Sequence, residues 1–153
     1  MKLIIIAVVV LLSTTSYAQW HTNLKESLSI AEKNEQLVLL NFSGSDWCGP
    51  CIRLRKEILD NPAFEQMAEA SLVLVNADFP RNKKNQLDKM QQEQNDELAA
   101  KYNPTGKFPF TLLLSADGQI LKTWEGFPKT GSQPFINDIK SICDEHRKKQ
   151  NRP

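Results

Sequence analysis

The sequence predicts an α/β fold with a central mixed β-sheet flanked by helices on both faces. Three observations predict it. Leu37-Val-Leu-Leu-Asn-Phe42 and Ser71-Leu-Val-Leu-Val-Asn-Ala77 are continuous apolar runs of strand length, the pattern of strands buried on both faces. Helical segments lie between them, and a helix crossing between neighbouring strands makes those strands parallel. Asp117-Gly118 then sits between two further strand-like runs as a two-residue hairpin signal, which adds an antiparallel pair.

The elements follow in order. Leu24, Leu28 and Ala31 share one face of a short amphipathic helix over 23–34. A short strand around Trp20 is a guess. The first buried strand is 37–42, and Ser43-Gly-Ser-Asp46 is a turn. A helix runs from about Cys48 to Leu59, and Asn61-Pro62 starts another, since proline suits the first helical position. The second strand is 71–77. Residues 80–102 are polar, and a loop followed by a surface helix carrying Leu87, Met90 and Leu98 on one face is expected there. Phe108-Pro-Phe-Thr-Leu-Leu-Leu114 is the third strand and 119–124 returns beside it. Phe135, Ile139, Ile142, Cys143 and His146 recur at helical spacing, the inner face of a closing helix.

Residues 1–18 read as an address rather than as fold. Lys2 precedes an unbroken apolar run over 3–12, and Ser16 and Ala18 occupy the positions of a small-residue cleavage site. That is the pattern of a secretory signal, and the run is shorter than the ~20 residues that span a bilayer. Cleavage would leave a chain starting at Gln19, with 19–153 forming a single domain. The expected location is outside the cytoplasm, with the periplasm of a Gram-negative bacterium preferred.

The whole sequence has 19 Lys plus Arg against 18 Asp plus Glu, a formal charge of +1. A nucleic-acid or anionic-lipid binder needs a clustered basic surface. The one basic cluster is the tail 147–153, with Arg147, Lys148, Lys149 and Arg152, which reads as a solvated end. No nucleic-acid partner is expected.

The chemistry is carried by Trp47-Cys48-Gly49-Pro50-Cys51, at a strand-to-helix junction. Two cysteines separated by two residues can bridge within one helical turn. The first lies at the helix N-terminus, where unpaired N–H groups and the helix dipole favour an anion. Its thiol is thereby drawn below the free value of ~8.5. Cys51 lies one turn further in and is shielded, suited to resolving a mixed disulfide rather than starting one. Gly49 permits close approach of a substrate, and Pro50 fixes the turn. Zinc is a competing reading, but Cys143, His21 and His146 are the other candidate ligands and none is paired at ligand spacing. A purely structural disulfide would close a very small loop and gain little. Phe108-Pro109 is a second feature. A central strand should not contain proline, so the bond is either at an edge or a cis turn. A cis bond facing the dithiol would leave the Phe108 backbone free to pair with an extended substrate.

Trp47 to Cys51, the preceding strand 38–42, and Phe108-Pro109 before Asp117-Gly118 together resemble thioredoxin. The likeness is greatest to exported thioredoxin-like proteins of Gram-negative bacteria. The resemblance implies the thioredoxin-like fold, a cis Pro109, and thiol–disulfide exchange by catalytic Cys48 and Cys51. Trp47, Gly49, Pro50, Phe108 and Pro109 would support the substrate. The substrates would be disulfide-containing proteins, a membrane electron donor would recharge the protein, and a monomer without metal or organic cofactor is expected. The Gly-Pro pair resembles the reducing members. An oxidase or isomerase, or a binding module with vestigial cysteines, are the alternatives.

Three departures stand out. The buried aspartate that serves the inner cysteine in the family falls at Asn41, and its partner lysine at Leu74. Water, or Asp46 at the rim, would then take the Cys51 proton. The stretch between Asp78 and Pro109 is longer than in a minimal thioredoxin, with an insertion over about 80–102 as either a partner-recognition segment or a solvated surface helix. Cys143 reads as a small buried hydrophobe. Trp124 and Phe127 read as core or rim.

Overall fold

The computed structural model describes residues 19–150. The expected export signal over 1–18, and Arg152 of the basic tail, lie outside the described residues.

Within them the chain forms β1 (Trp20–His21), α1 (Leu24–Asn34), β2 (Leu37–Ser43), α2 (Gly49–Leu54), α3 (Pro62–Ser71), β3 (Leu72–Asp78), α4 (Lys89–Tyr102), β4 (Phe110–Leu114), β5 (Ile120–Glu125) and α5 (Ser132–Gln150). A π-helical turn, Arg55–Leu59, continues α2, and a 3-10 turn, Lys83–Asn85, precedes α4. The strands form one sheet in the order β1-β3-β2-β4-β5. β1, β3 and β2 run parallel, and β4 and β5 are antiparallel additions. The mixed sheet is therefore as the apolar runs and the hairpin signal predict.

Side chains at the helix starts explain where the helices begin. Asn23 caps α1 by accepting from the Glu26 N–H, Asn61 caps α3 ahead of Pro62, and Asp88 caps α4 through the Gln91 N–H at 2.8 Å. Alternation along the strands divides the core in two. Leu37, Leu39, Leu72, Leu74 and Leu113 face α2, α3 and α5, where Phe64 and Ile139 are fully buried. Val38, Leu40, Phe42, Val73 and Leu112 face α1 and α4. Truncating Phe64 to alanine should cost about 3–5 kcal/mol, the usual range for a buried aromatic.

Three expectations change. The β4–β5 connection is a three-residue loop, because Gly118 N–H donates to the Ser115 carbonyl and Ser115 N–H to the Gln119 carbonyl. Gly118 takes φ +82°, the left-handed position that ends such a loop. On α4 the buried residues are Asn95 and Tyr102, while Met90 lies in the first turn and is 68% exposed. Asn95 goes inside because its amide donates to the Asp78 carbonyl at 2.8 Å and accepts from Gln91 at 2.9 Å. On α5 the inner face includes Ile136, while Ile142 and His146 are only part-buried.

Register places one polar row in this apolar sheet. Asn41 of β2 is paired with Asn76 of β3 and with Thr111 of β4. The row lies just below the C-terminal end of β2, where the chain turns into α2.

Candidate active site

β2 ends at Ser43, and a tight turn delivers Trp47 and Cys48 to the start of α2. Gly44 is required in that turn, because a β-carbon there would fall 2.3 Å from Trp47 Cε2. Cys48 is the N-cap residue of α2 and has extended backbone, φ −90° and ψ 95°. Its Sγ accepts a hydrogen bond from the Cys51 N–H at 3.3 Å. The first turn thus points an N–H at the sulfur, one it shares with the Cys48 carbonyl at 3.0 Å, in the place where a helix favours negative charge. Cys48 and Cys51 are joined by a disulfide, with an S–S distance of 2.09 Å.

Both cysteines are buried in this oxidised form, at 5% and 3% exposure, so shielding does not separate them. Their neighbours do. Cys48 sits at the helix tip beside exposed Gly49 and Pro50, whereas Cys51 lines a cavity of about 340 Å³ with Asn41, Ser43, Ser45 and Asn76. The floor of that cavity is hydrogen-bonded and neutral. Thr111 Oγ1 donates to Asn41 Oδ1 at 3.0 Å, and Asn41 Nδ2 donates to Asn76 Oδ1 at 3.0 Å. Leu74, where the resemblance puts the family's lysine, packs into the apolar core.

Trp47 is held from several sides. Its Nε1 donates to the Phe79 carbonyl at 2.7 Å. The Arg81 guanidinium lies 3.6 Å from its ring centroid, and Phe108 meets it edge-on at 5.4 Å. Phe79 and Phe108 also meet edge-on, at 5.5 Å. The Phe108–Pro109 peptide is cis. Phe108 lies outside the strand ladder, which begins at Phe110, while the Pro109 carbonyl accepts from the Gly126 N–H. Trp47, Phe108 and the dithiol turn are therefore brought together from distant parts of the chain.

The Asp46 carboxylate is engaged by the segment that follows β3. It accepts from the Arg81 and Asn82 N–H groups, both at 2.9 Å, and from Asn85 Nδ2 at 3.0 Å. The hydrogen bond from the Arg81 backbone, followed by that from Asn85, holds this carboxyl below its ordinary range. Asp46 thus pins the start of the 80–102 segment and, with it, the arginine over Trp47. Arg81, Phe79, Ser45 and Asp78 were not singled out in the sequence. Each acts through a partner more than thirty positions away, so no local spacing could have announced them.

Cys143 is a free thiol in α5, buried in the apolar core. Burial pushes its pKa up to about 11. His146 lies one turn beyond it on α5, and His21 lies on edge strand β1. Among the described residues, no cluster of three or more His, Cys, Asp or Glu could hold a metal ion.

Residues 24–132 match the thioredoxin-like domain family. The chain belongs to the thioredoxin-like family. This thioredoxin-like chain is 34% identical over 123 residues to the disulfide bond reductase DsbH of Chlamydia pneumoniae, covering 80% of this chain and 71% of that protein. It is also 34% identical over 124 residues to the thioredoxin-related protein DsbJ of the same organism, covering 81% of this chain and 34% of DsbJ. It thus spans about a third of the length of that second relative. A solved DsbH oxidoreductase superposes with TM-score 0.75 at 32% identity, covering 84% of this chain and 86% of that one. A thioredoxin from Thermus thermophilus superposes with TM-score 0.63 at 17% identity, a likeness of fold. The thioredoxin-like chain is a thiol–disulfide oxidoreductase with a C-x-x-C pair.

Proposed function

We propose that the protein is exported and reduces disulfides in client proteins. Cys48 attacks a client disulfide and forms a mixed disulfide. Cys51 then attacks Cys48, frees the reduced client and leaves the pair oxidised. The observation that carries the assignment is the Cys48 sulfur at the N-cap of α2 with the Cys51 N–H directed at it. A thiolate there gains a hydrogen bond and a favourable dipole, and a thiolate is the form that attacks disulfides.

The surface around the sulfurs supports a polypeptide client. Pro50 is exposed, Ile52 is 46% exposed, and Trp47 and Phe108 are partly exposed beside them. A β-carbon at Gly49 would meet nothing within 4 Å, so no internal packing demands glycine, and the open space suits a chain lying over the dithiol. Phe108, outside the ladder, is placed to pair with that chain edge to edge.

Direction depends on the reduction potential relative to the compartment. The reductase reading is favoured by Gly-Pro between the cysteines and by the likeness to a disulfide bond reductase. In an oxidising space the pair must be recharged, so a membrane-bound thiol electron donor is the implied partner. The reading takes residues 1–18 as the export signal, with a mature start at Gln19. Among the described residues, no helix is long and apolar enough to cross a membrane.

Insulin reduction by dithiothreitol, followed by turbidity, tests the activity. Catalysis above the reductant alone is expected. The pair's potential against glutathione tests the direction. A value near the reducing thioredoxin range of about −270 mV is expected, and one near the oxidase range of about −120 mV would reverse the assignment.

A further inference from the structure

We propose that Ser45 and Asp78 form the route by which Cys51 loses its proton during resolution, which makes both of them positioning residues of the exchange reaction. This rests on the roles proposed above for the two cysteines. Cys51 must shed a proton before it attacks Cys48, and it faces a cavity rather than a base. That cavity, about 340 Å³, has room for several waters, each of which needs two to four polar partners. Ser43, Ser45, Asn41 and Asn76 supply them. The two amides are neutral and accept no proton near neutral pH.

Ser45 differs, because it joins the cavity to a carboxylate. Its Oγ donates to Asp78 Oδ2 at 2.5 Å, and its backbone N–H donates to Asp78 Oδ1 at 2.9 Å. The hydroxyl proton already points at the carboxylate, and the hydroxyl lone pairs can accept from water. Asp78 in turn is fixed at the end of β3, where its carbonyl accepts from Asn95 Nδ2, an uncharged neighbour on α4.

The other charged groups at this end do not compete. Arg55 and Lys56 line the cavity from the α2 side. Their positive charge favours a thiolate, but protonated cations take up no proton. Asp60 reaches the cavity through Arg55 Nε, at 2.6 Å, and a guanidinium does not relay a proton. Asp46 has both oxygens engaged by residues 81–85.

In the step, the Cys51 S–H bond breaks and the proton passes to cavity water. Water protonates Ser45 Oγ as the Ser45 proton moves to Asp78 Oδ2. The Cys51 electron pair forms the bond to Cys48 Sγ. The bond between Cys48 and the client sulfur breaks, and its pair leaves on the client. That thiolate takes a proton from solvent, and Asp78 returns its own to solvent. Over both steps the client disulfide gains two electrons and two protons, and the Cys48–Cys51 dithiol loses them.

The test is a single turnover of a peptide carrying one internal disulfide, mixed with reduced full-length protein, with release of the second thiol measured against pH. Asp78→Asn keeps an oxygen for the Ser45 N–H, and Ser45→Ala removes only the hydroxyl. Each should slow release by about ten- to a hundredfold at pH 7. The deficit should vanish above about pH 9.5, where a thiol ionises unaided. The double variant should be no slower than either single one, and alkylation of Cys48 by iodoacetamide should be unchanged. Wild-type release rates in both variants would overturn the relay. So would a deficit equal at all pH values, or a parallel loss of Cys48 alkylation. If Asp78→Asn does not fold, Ser45→Ala alone decides. If the wild-type protein forms no mixed disulfide at all, the functional reading fails and the relay with it.

Discussion

The N-cap of α2 and the middle of α5 each hold a buried cysteine, and the two differ in almost everything except burial. Cys48 is 5% exposed and Cys143 is 4% exposed. Around Cys48 the chain supplies a backbone N–H, a helix tip and a partner sulfur. Around Cys143 it supplies the apolar side chains of α3, α5 and the sheet, which push the thiol up to about 11. Exposure therefore does not decide which sulfur is suited to react. What decides it is whether the surroundings stabilise the anion or exclude it.

The largest effect expected from this contrast is at Cys48 itself. Cys48→Ser should reduce insulin reduction to the uncatalysed rate. Cys51→Ser should accumulate covalent client adducts on non-reducing gels, and Cys143→Ala should leave turnover within about twofold. A stable adduct through Cys143 would break the contrast.

Next comes the turn that carries Cys48. Gly44→Ala pushes a β-carbon into the Trp47 ring and should destabilise the protein by about 1–3 kcal/mol, read by urea denaturation. An unchanged midpoint would show that Trp47 can leave its place cheaply.

Acid sharpens the comparison at the rim. The Asp46 carboxyl has its pKa lowered in the folded state, so its contribution is present above the ordinary carboxylate range and is lost as pH falls through the lower folded value. Protection of the Arg81 and Asn82 amides from hydrogen exchange, taken relative to the intrinsic rate at each pH, should fall over that range. Asp46→Ala should show the low protection already at neutral pH.

The smallest effect is alkaline. The Cys143 pKa is raised in the folded state, so its contribution is present below about 9 and is lost as pH rises from 9.0 toward about 11. Cys143→Ala should flatten the corresponding part of the stability curve.

The layers of this fold were legible because they rest on local pattern. Apolar runs marked β2 and β3, Asn-Pro marked the start of α3, and the spacing of Phe135, Ile139 and Cys143 marked the inner face of α5. The dithiol motif was legible for the same reason, since its residues are consecutive. The surroundings of the motif were not. Asp46 was read as a turn or a base, yet it ties down residues 81–85. Ser45 and Asp78 meet only because β2 and β3 run side by side, with Ser43 in register with Asp78. Apolar spacing puts Met90 on one face with Leu87 and Leu98, whereas a buried amide, Asn95, decides how α4 packs.

The most direct measurement is the pH dependence of iodoacetamide alkylation in the fully reduced, folded protein, with each site resolved by mass spectrometry. The account predicts that Cys48 is alkylated readily at neutral pH and titrates below the free-thiol value of ~8.5, while Cys143 stays unmodified until the protein unfolds. Equal reactivity of Cys48 and Cys143, or a Cys48 that titrates at or above the free value, would contradict it.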